Sequence, residues 1–482
     1  MTSSSSPQED RPGPISLRTH IPLRSKLAVS AGKAAASVSR SLGRGSGGMI
    51  GGEVALFLSP AVLADVSRST RSVIVSGTNG KSTTNRMVRA ALSTSGEVAS
   101  NIRGDNMPSG ILTAFMSSPT APFAALEVDE MHVPIVAADV RPAAFVLLNL
   151  SRDQLDRVGE IGAVEQRLRQ AVQENPHATV VANCDDPLIA SAAWDAPNVV
   201  WVSVGAAWNQ DSVAFPRGGR VTWSDKGWEV HPDNILDEGG AKTPESTSDE
   251  PTYRRPEAQW WLEDIDLTPP VSSSSETDAI GAETVGASAS TKVASRATLC
   301  GPDGLRIPLA LALPGRVNLG NAAQAVAAAV SLGIPVERAV QAVGEVSEVA
   351  GRYSIHDING RKTRMMLAKN PAGWQEAMTM VDPNATQVVV AVNGQIPDGE
   401  DLSWLWDVDF SILHAPGRTV IACGERGADL AVRLEYAGVH CTLVDLPMDA
   451  VRACEAGQVE MLLNYTALRD FLRVLDNEKA GA

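Results

Sequence analysis

The run VIVSGTNGKSTTNRMVRAAL, from Val73 to Leu92, sets Gly77, Thr78, Asn79, Gly80, Lys81, Ser82 and Thr83 between an apolar stretch and a helix-forming one. These residue types suit a phosphate cradle. Small side chains let backbone N–H groups approach an anion, and a following helix N-terminus adds partial positive charge. Lys81 is placed to reach terminal phosphates, and Ser82 or Thr83 to ligate Mg2+. The run departs from GxxxxGK[ST] in one respect, because Val75 stands at the first glycine position. A bare GK[ST] turn is often structural, whereas strand, paired glycines and helix together predict a nucleotide site.

Other polar residues sit at the ends of apolar runs. Glu127 closes FAALEV and is the leading metal candidate, with Asp129 and Glu130 beside it; a solvated acidic turn is the competing reading. Asn149 ends AAFVLLNL, and Asn183, Asp185, Asp186 and Pro187 follow another apolar run. Asn318 and Asn321 open an Ala-rich helix, where capping by Asn318 is as natural as ligand contact. Farther on stand Lys369 and Asn370, then Asp398, Asp401 and Asp407, with Trp404 and Trp406 suited to packing or to a partner surface. Five cysteines, Cys184, Cys300, Cys423, Cys441 and Cys454, are widely spaced, so zinc is not expected and a reducing cytoplasm is.

Elements must position these groups. Short apolar runs at 72–75, 123–128, 143–148 and 179–182 alternate with helix-length segments and predict parallel strands joined by crossovers. A second set at 387–392, 419–422, 441–444 and 460–463 predicts a smaller doubly wound unit. The fold class is therefore α/β, a P-loop domain with a parallel-rich sheet plus a smaller Rossmann-like C-terminal domain. Composition divides the 482 residues into a flexible tail (1–41), with folding beginning in earnest near Glu53, a central domain (42–349) with a polar insert at about 233–298, and a C-terminal domain (350–482). Within the insert, Trp260 and Trp261 are candidates to anchor a short strand. The formal charge of −15 argues against nucleic-acid binding, and no apolar run is long enough to span a bilayer.

GTNGKST is the variant found in Mur ligases and folylpolyglutamate synthases. SNIRGDNMPSGILTAF, ALEVDEMHVP, NLSRDQLDRVGEI, LAKNPAGWQEAM, DGEDLSWLWDVDF and RLEYAG, in this order, resemble the blocks of the MurT family of the Mur ligase superfamily, from about residue 42 to 466. The resemblance implies a Mur ligase central domain and ATP-dependent amidation of the D-glutamate α-carboxylate of the lipid II stem peptide through an acyl phosphate. Ammonia would come from a GatD-type glutamine amidotransferase partner, at the cytoplasmic face of the membrane. It places Mg2+ on Glu127, acceptor contacts on Asn101, Asn106 and Met107, adenine or ribose contacts near Asn183 and Asp185, with Asn318 and Asn321 as further adenine candidates, and the partner's triad carboxylate on Asp401, then Asp407. Where many relatives carry a metal-binding His this chain has Gln154, leaving Asp153 and Asp156 to bind water or cap a helix. Where they carry a carbamylated Lys it has Arg167 and Arg169, and in place of a four-cysteine ribbon it has Cys300 alone.

Two other readings compete. An amino-acid-adding ligase would carry the DNPR block of some muramyl ligases, which is absent. A catalytically inactive nucleotide-binding scaffold would account for the missing His and Lys. No Cys lies in a glycine-rich strand-to-helix elbow, so the ammonia must be external.

Overall fold

The computed structural model describes residues 21–41, 48–101, 105–152, 161–205, 208–232, 251–267, 294–347, 353–399 and 401–481. Asp153, Gln154 and Asp156 lie outside the described residues, as does most of the polar insert.

Six strands, β1 (Arg71–Ser76), β2 (Val98–Ser100), β3 (Phe123–Glu127), β4 (Ala144–Leu147), β5 (Thr179–Asn183) and β6 (Val199–Val202), form a sheet in the order β2-β3-β1-β4-β5-β6. Every pairing in it is parallel. Alternation along a strand sends neighbouring side chains to opposite faces, so both faces of a parallel sheet need cover. Val73 and Val75 of β1 enter one apolar core and Ile74 the other. Helices α1 (Leu23–Ser41), α2 (Gly48–Leu58), α3 (Val62–Ser67), α4 (Lys81–Ser93), α5 (Pro108–Ser117), α6 (Val133–Val140), α7 (Ile161–Glu174) and α8 (Pro187–Ala193) run along or between these strands.

Residues 23–41, expected to lie in a flexible tail, instead form α1. Their small side chains allow close approach: a Cβ on Gly32 would fall 2.4 Å from the Gly51 carbonyl oxygen of α2, so two backbones meet where composition alone suggested a linker. Helical structure thus begins well before Glu53.

The described edges of the insert region join two small antiparallel sheets. One contains β7 (Arg220–Ser224), β8 (Gly227–His231) and β9 (Tyr253–Arg254); the other contains β10 (Trp261–Asp266), β11 (Ser295–Gly301) and β12 (Leu305–Leu311). Trp260 is buried and Trp261 opens β10, giving the short strand the two tryptophans suggested. Helices α9 (Arg316–Ser331) and α10 (Val336–Gly344) follow, and the alanines of α9 let it pack closely on α4 and the sheet.

The C-terminal sheet has the order β13-β14-β18-β15-β16-β17, with β13 (Tyr353–Ile358), β14 (Arg361–Leu367), β15 (Gln387–Ala391), β16 (Thr419–Cys423), β17 (Cys441–Leu443) and β18 (Gly457–Leu463). It is parallel except for the β13–β14 hairpin. Asn359 and Gly360, with φ of 53° and 81°, close that hairpin in the left-handed turn such a connection favours. Helices α11 (Pro371–Thr379), α12 (Gly427–Tyr436), α13 (Pro447–Ala453) and α14 (Tyr465–Gly481) cover the sheet. Among the described residues, no helix is long and apolar enough to cross a membrane.

Candidate active site

The loop from Gly77 to Gly80 turns between β1 and α4. Gly77 has φ 137°, and a Cβ there would lie 2.9 Å from the Asn149 carbonyl oxygen; Gly80 enters the helix at φ 86°. These two positions require glycine for conformation as well as for space. Asn149, at the end of β4, clamps the loop: its Oδ1 accepts from the Asn79 N–H at 2.9 Å and its Nδ2 donates to the Asn79 carbonyl at 3.1 Å. The Thr78 N–H donates to the Asn149 carbonyl at 2.9 Å, and Thr78 Oγ1 exchanges hydrogen bonds with the Ser151 backbone.

Lys81 is buried, yet its ammonium turns back over the loop. Nζ lies 2.6 Å from the Gly77 carbonyl oxygen and 3.1 and 3.2 Å from the Glu130 carboxylate oxygens. Ser82 Oγ donates to Glu127 Oε1 at 3.0 Å, bringing together the two groups proposed as metal ligands. Mg2+ is commonly held by one or two protein oxygens with water and phosphate completing the shell, which this hydroxyl–carboxylate pair fits. Among the described residues no cluster of three or more His, Cys, Asp or Glu side chains is spaced to hold a metal.

The acceptor-side expectations divide. Asn101 spends its amide on the end of β3, donating to the Glu127 carbonyl at 2.7 Å and accepting the Glu127 N–H at 2.9 Å, so it fixes the height of Glu127. Asn106 accepts the Asp129 N–H through its carbonyl, and Met107 precedes Pro108 at the start of α5.

Beside the loop lies a cleft of about 580 Å³ between the central and C-terminal domains. Asn79, Asn149, Asn183 and Asn321 line it from the first domain, and Gln375 and Glu376 of α11 from the second. Asn318 and Asn321 also border a smaller recess with Gly80, Thr83 and Lys369. Asn183 Nδ2 donates to the Leu148 carbonyl at 3.1 Å, and Asn318 Nδ2 to the Pro314 carbonyl at 2.6 Å, so both amides also hold their own backbones.

Asp185 points elsewhere, a correction to the nucleotide role expected for it. Its oxygens receive Arg255 Nε at 2.6 Å, Ser203 Oγ at 3.0 Å and the Gly205 N–H at 2.6 Å, which tie the end of β5 to the loop after β6 and to the residue after β9. Its neighbour Asp186 faces the cleft, caps α8 through the Leu188 and Ile189 N–H groups, and accepts the Leu150 N–H at 2.8 Å. Burial pushes its carboxyl up to about 6.

Three contacts were missed by sequence reading. The sequence marks Glu130 only as charge near Glu127, whereas a one-turn 3-10 helix (Glu130–His132) brings it onto Lys81. Trp208 and Arg316 line the cleft from irregular or helix-start positions that no period marks. Asn79 Nδ2 donates to Asn370 Oδ1 at 3.1 Å, joining the loop to the N-cap of α11, a pairing that nothing in the sequence signals.

The C-terminal carboxylates are arranged differently. Asp398 is buried and accepts from the Thr466 N–H and hydroxyl at the start of α14, and burial raises its carboxyl. Asp401 is exposed and accepts the Ser403 N–H at 2.8 Å, which with the Ser403 side chain holds it below the ordinary carboxylate range. Asp407 is partly exposed, 3.7 Å from Arg152 of the central domain. Trp404 stacks on Trp374, whereas Trp406 is exposed.

Of the two arginines that stand where the resemblance implies a carbamylated Lys, Arg169 pairs with buried Glu165 at 3.3 Å. Burial pushes the Cys184 and Cys423 thiols up to about 12, so neither supplies a ready thiolate.

The Mur ligase middle domain family matches residues 75–227, and the MurT ligase C-terminal family matches residues 367–468. Across 94% of the chain and 97% of the relative, the sequence is 27% identical to the MurT subunit of lipid II isoglutaminyl synthase (glutamine-hydrolyzing) from Streptococcus pneumoniae. MurF from Acinetobacter baumannii superposes with a TM-score of 0.61 at 15% identity, covering 88% of this chain and 80% of that one. MurF from Thermotoga maritima in complex with ADP gives 0.56 at 13% identity, covering 88% and 83%. At these identities the solved structures speak to the fold. The chain thus carries a Mur ligase middle domain followed by a MurT ligase C-terminal domain, on the fold of the Mur ligases, and is similar to a MurT ligase subunit along nearly its whole length.

Proposed function

We propose that the chain forms an amide from a carboxylate and ammonia at the expense of ATP, the acceptor being the D-glutamate α-carboxylate of a lipid II stem peptide. A carboxylate does not condense with ammonia in water. Transfer of the γ-phosphoryl group to a carboxylate oxygen gives an acyl phosphate and ADP; ammonia then attacks the carbonyl carbon and phosphate leaves. The observation that carries the reading is the loop itself, where Lys81 and the Ser82–Glu127 pair converge beside a cleft built by both domains. Lys81 supplies positive charge where phosphate charge must be neutralised. Mg2+, when bound, would neutralise phosphate charge from Ser82 and Glu127.

Two similar proteins support the reading: the pneumococcal relative is a subunit of a glutamine-hydrolysing synthase, and the Thermotoga neighbour is in complex with ADP. A glutamine amidotransferase partner is proposed as the ammonia source. Asp401 is assigned first to that partner's triad, since an exposed carboxylate at a loop tip can reach another molecule, with Asp407 second. The chain would work on the cytoplasmic face of the membrane. The test is ATP-dependent amide formation on a D-glutamate-containing acceptor, run with ammonium alone and with glutamine plus partner. ADP release without amide under both conditions would refute it, and product formed only with an added amino acid would favour a peptide-adding ligase.

A further inference from the structure

Helices α1 and α2 form an antiparallel hairpin that faces the wrong way for an ordinary surface element. Its inner stripe is small and polar: Ser25, Ala28, Gly32, Ala36 and Ser39 are the buried residues of α1. Its outer face carries large apolar side chains. Leu23 is 71% exposed, Leu27 62% and Phe57 84%, with Leu58 beside them. The Arg24 Nε donates to the Leu58 carbonyl at 3.0 Å and Ser25 Oγ lies 3.2 Å from Ser59 Oγ, so these four apolar residues crowd one end of the hairpin. A third of the exposed large apolar side chains among the described residues lie within these two helices, a concentration that marks an interaction surface.

Charge selects the occupant. Residues 23–58 carry five basic side chains and one acidic one, in a chain of net charge −15. On α1, Lys26, Lys33 and Arg40 fall along one flank of the outward Leu23–Leu27 stripe at helical spacing, and all three are exposed. An apolar ridge edged by cations, on a body that is otherwise acidic, fits an anionic lipid surface. Neither helix is long and apolar enough to span a bilayer, so the hairpin would lie on the surface.

We infer that the α1–α2 hairpin docks the protein on an anionic bilayer, with Leu23, Leu27, Phe57 and Leu58 entering the headgroup region and the lysines meeting lipid phosphates. The hairpin is firmly joined to the body. Ser25 Oγ donates to Asp65 of α3 at 2.6 Å, and Gly52 of α2 packs so closely on α5 that a Cβ would fall 1.9 Å from the Ser109 carbonyl oxygen. Because α5 begins just after Asn106 and Met107, docking would hold that loop near the membrane plane. This last consequence rests on the proposed lipid-linked acceptor; the docking itself does not.

The test is co-sedimentation of the full chain with phosphatidylglycerol–phosphatidylcholine vesicles, against pure phosphatidylcholine, at low and high salt. Binding should need the anionic lipid and weaken with salt. Lys26→Glu/Lys33→Glu should reduce it roughly thirtyfold or more, given about 1 kcal/mol per basic residue near such a surface. Leu27→Ser/Phe57→Ser should reduce it about tenfold or more. Both pairs change exposed residues, so thermal unfolding and amidation of a water-soluble acceptor should be unchanged. No binding by the wild type, equal binding to neutral vesicles, or binding indifferent to both variants would overturn the inference. So would a wild type that ignores vesicles but self-associates through Leu27 and Phe57 on size exclusion. Vesicle binding needs neither nucleotide nor partner, so failed amidation would count against the proposed reaction alone.

Discussion

The Gly77–Gly80 loop and the carboxylates of Asp401 and Asp409 both follow sheet strands in α/β domains, yet they are held on opposite terms. In the loop each polar group is held by another part of the chain: Asn79 by Asn149, Lys81 by Glu130, Ser82 by Glu127. Asp398 and Asp407 nearby do reach distant partners, Thr466 and Arg152, but the Asp401 carboxylate bonds Ser403 two residues away, and that of Asp409 bonds Ser411 likewise. A site preorganised by long-range contacts can act on a small ligand as it stands, because little is left to reorganise. A carboxylate restrained only locally keeps its outward lone pairs for another molecule. Under the proposed function the two sets of residues would serve two half-reactions, one within this chain and one completed by a partner.

The largest effect expected is from Lys81→Ala. Removing the point charge over the loop should lower amidation by roughly 10²- to 10³-fold with either nitrogen source, and leave the unfolding temperature within a few degrees. Unchanged turnover at saturating ATP would erase the contrast, since the loop would then not be the phosphate site.

Asp401→Asn should divide the nitrogen sources. If the carboxylate orients the partner's catalytic His, the amide cannot stabilise the imidazolium, and glutamine-driven amidation should fall by about 10²-fold or more while ammonium-driven amidation survives. Equal loss with both would put Asp401 in the ligase site. Intact glutaminase would pass the role to Asp407.

Glu127→Gln keeps volume and removes charge, so activity should drop about tenfold at low Mg2+ and recover as Mg2+ is raised. A loss indifferent to Mg2+ would mark Glu127 as structural, an outcome its bond to Ser82 would explain by itself.

How far the sequence disclosed all this follows from the range of its signals. Strand positions were legible because buried parallel strands are continuous apolar runs such as VVVA at β15, and the loop because glycine, lysine and hydroxyl are adjacent in sequence. Asp185 misled because its neighbour Asp186 has the same chemistry, and only Arg255, far along the chain, decides which one faces the cleft. The α1 helix was hidden for a related reason: Ala, Ser and Gly read as linker until Gly51 is seen against Gly32.

The two regions should also titrate in opposite senses. Asp186 is raised to about 6 by burial, so between about pH 4 and 6 the folded chain keeps a proton the unfolded chain has released, and this group makes the fold less stable as pH rises through that window. Asp401 is lowered by Ser403, so its contribution is present above about pH 4 and fades below it. Thermal unfolding from pH 4 to 7 should show the gap between wild type and Asp186→Asn narrowing as pH rises, because only the wild type acquires a buried charge. A gap that widens would mean that the backbone N–H groups outweigh burial.

The smallest effect tests the bond that ties the loop to the start of α11. Asn79 Nδ2 donates to Asn370 Oδ1, which also accepts the Gly373 N–H at 2.8 Å as the cap of α11. Losing the cap costs about 1 kcal/mol by itself, so Asn370→Ala alone cannot report on the link. Asn370→Asp keeps an acceptor for both donors and should leave stability and ATP use nearly unchanged. A double-mutant cycle of Asn79→Ala and Asn370→Ala, read in KM for ATP and in unfolding free energy, isolates the pair. Coupling of about 0.5–1.5 kcal/mol is expected for a hydrogen bond of this kind. If the coupling appears in KM and not in stability, the C-terminal domain is held over the loop chiefly when nucleotide is present. If it appears in stability alone, the bond is a static strut and the domains meet without regard to ATP. Zero coupling in both would show that Asn79 serves the Asn149 clamp, and that α11 meets the loop across the cleft walls and not through this contact.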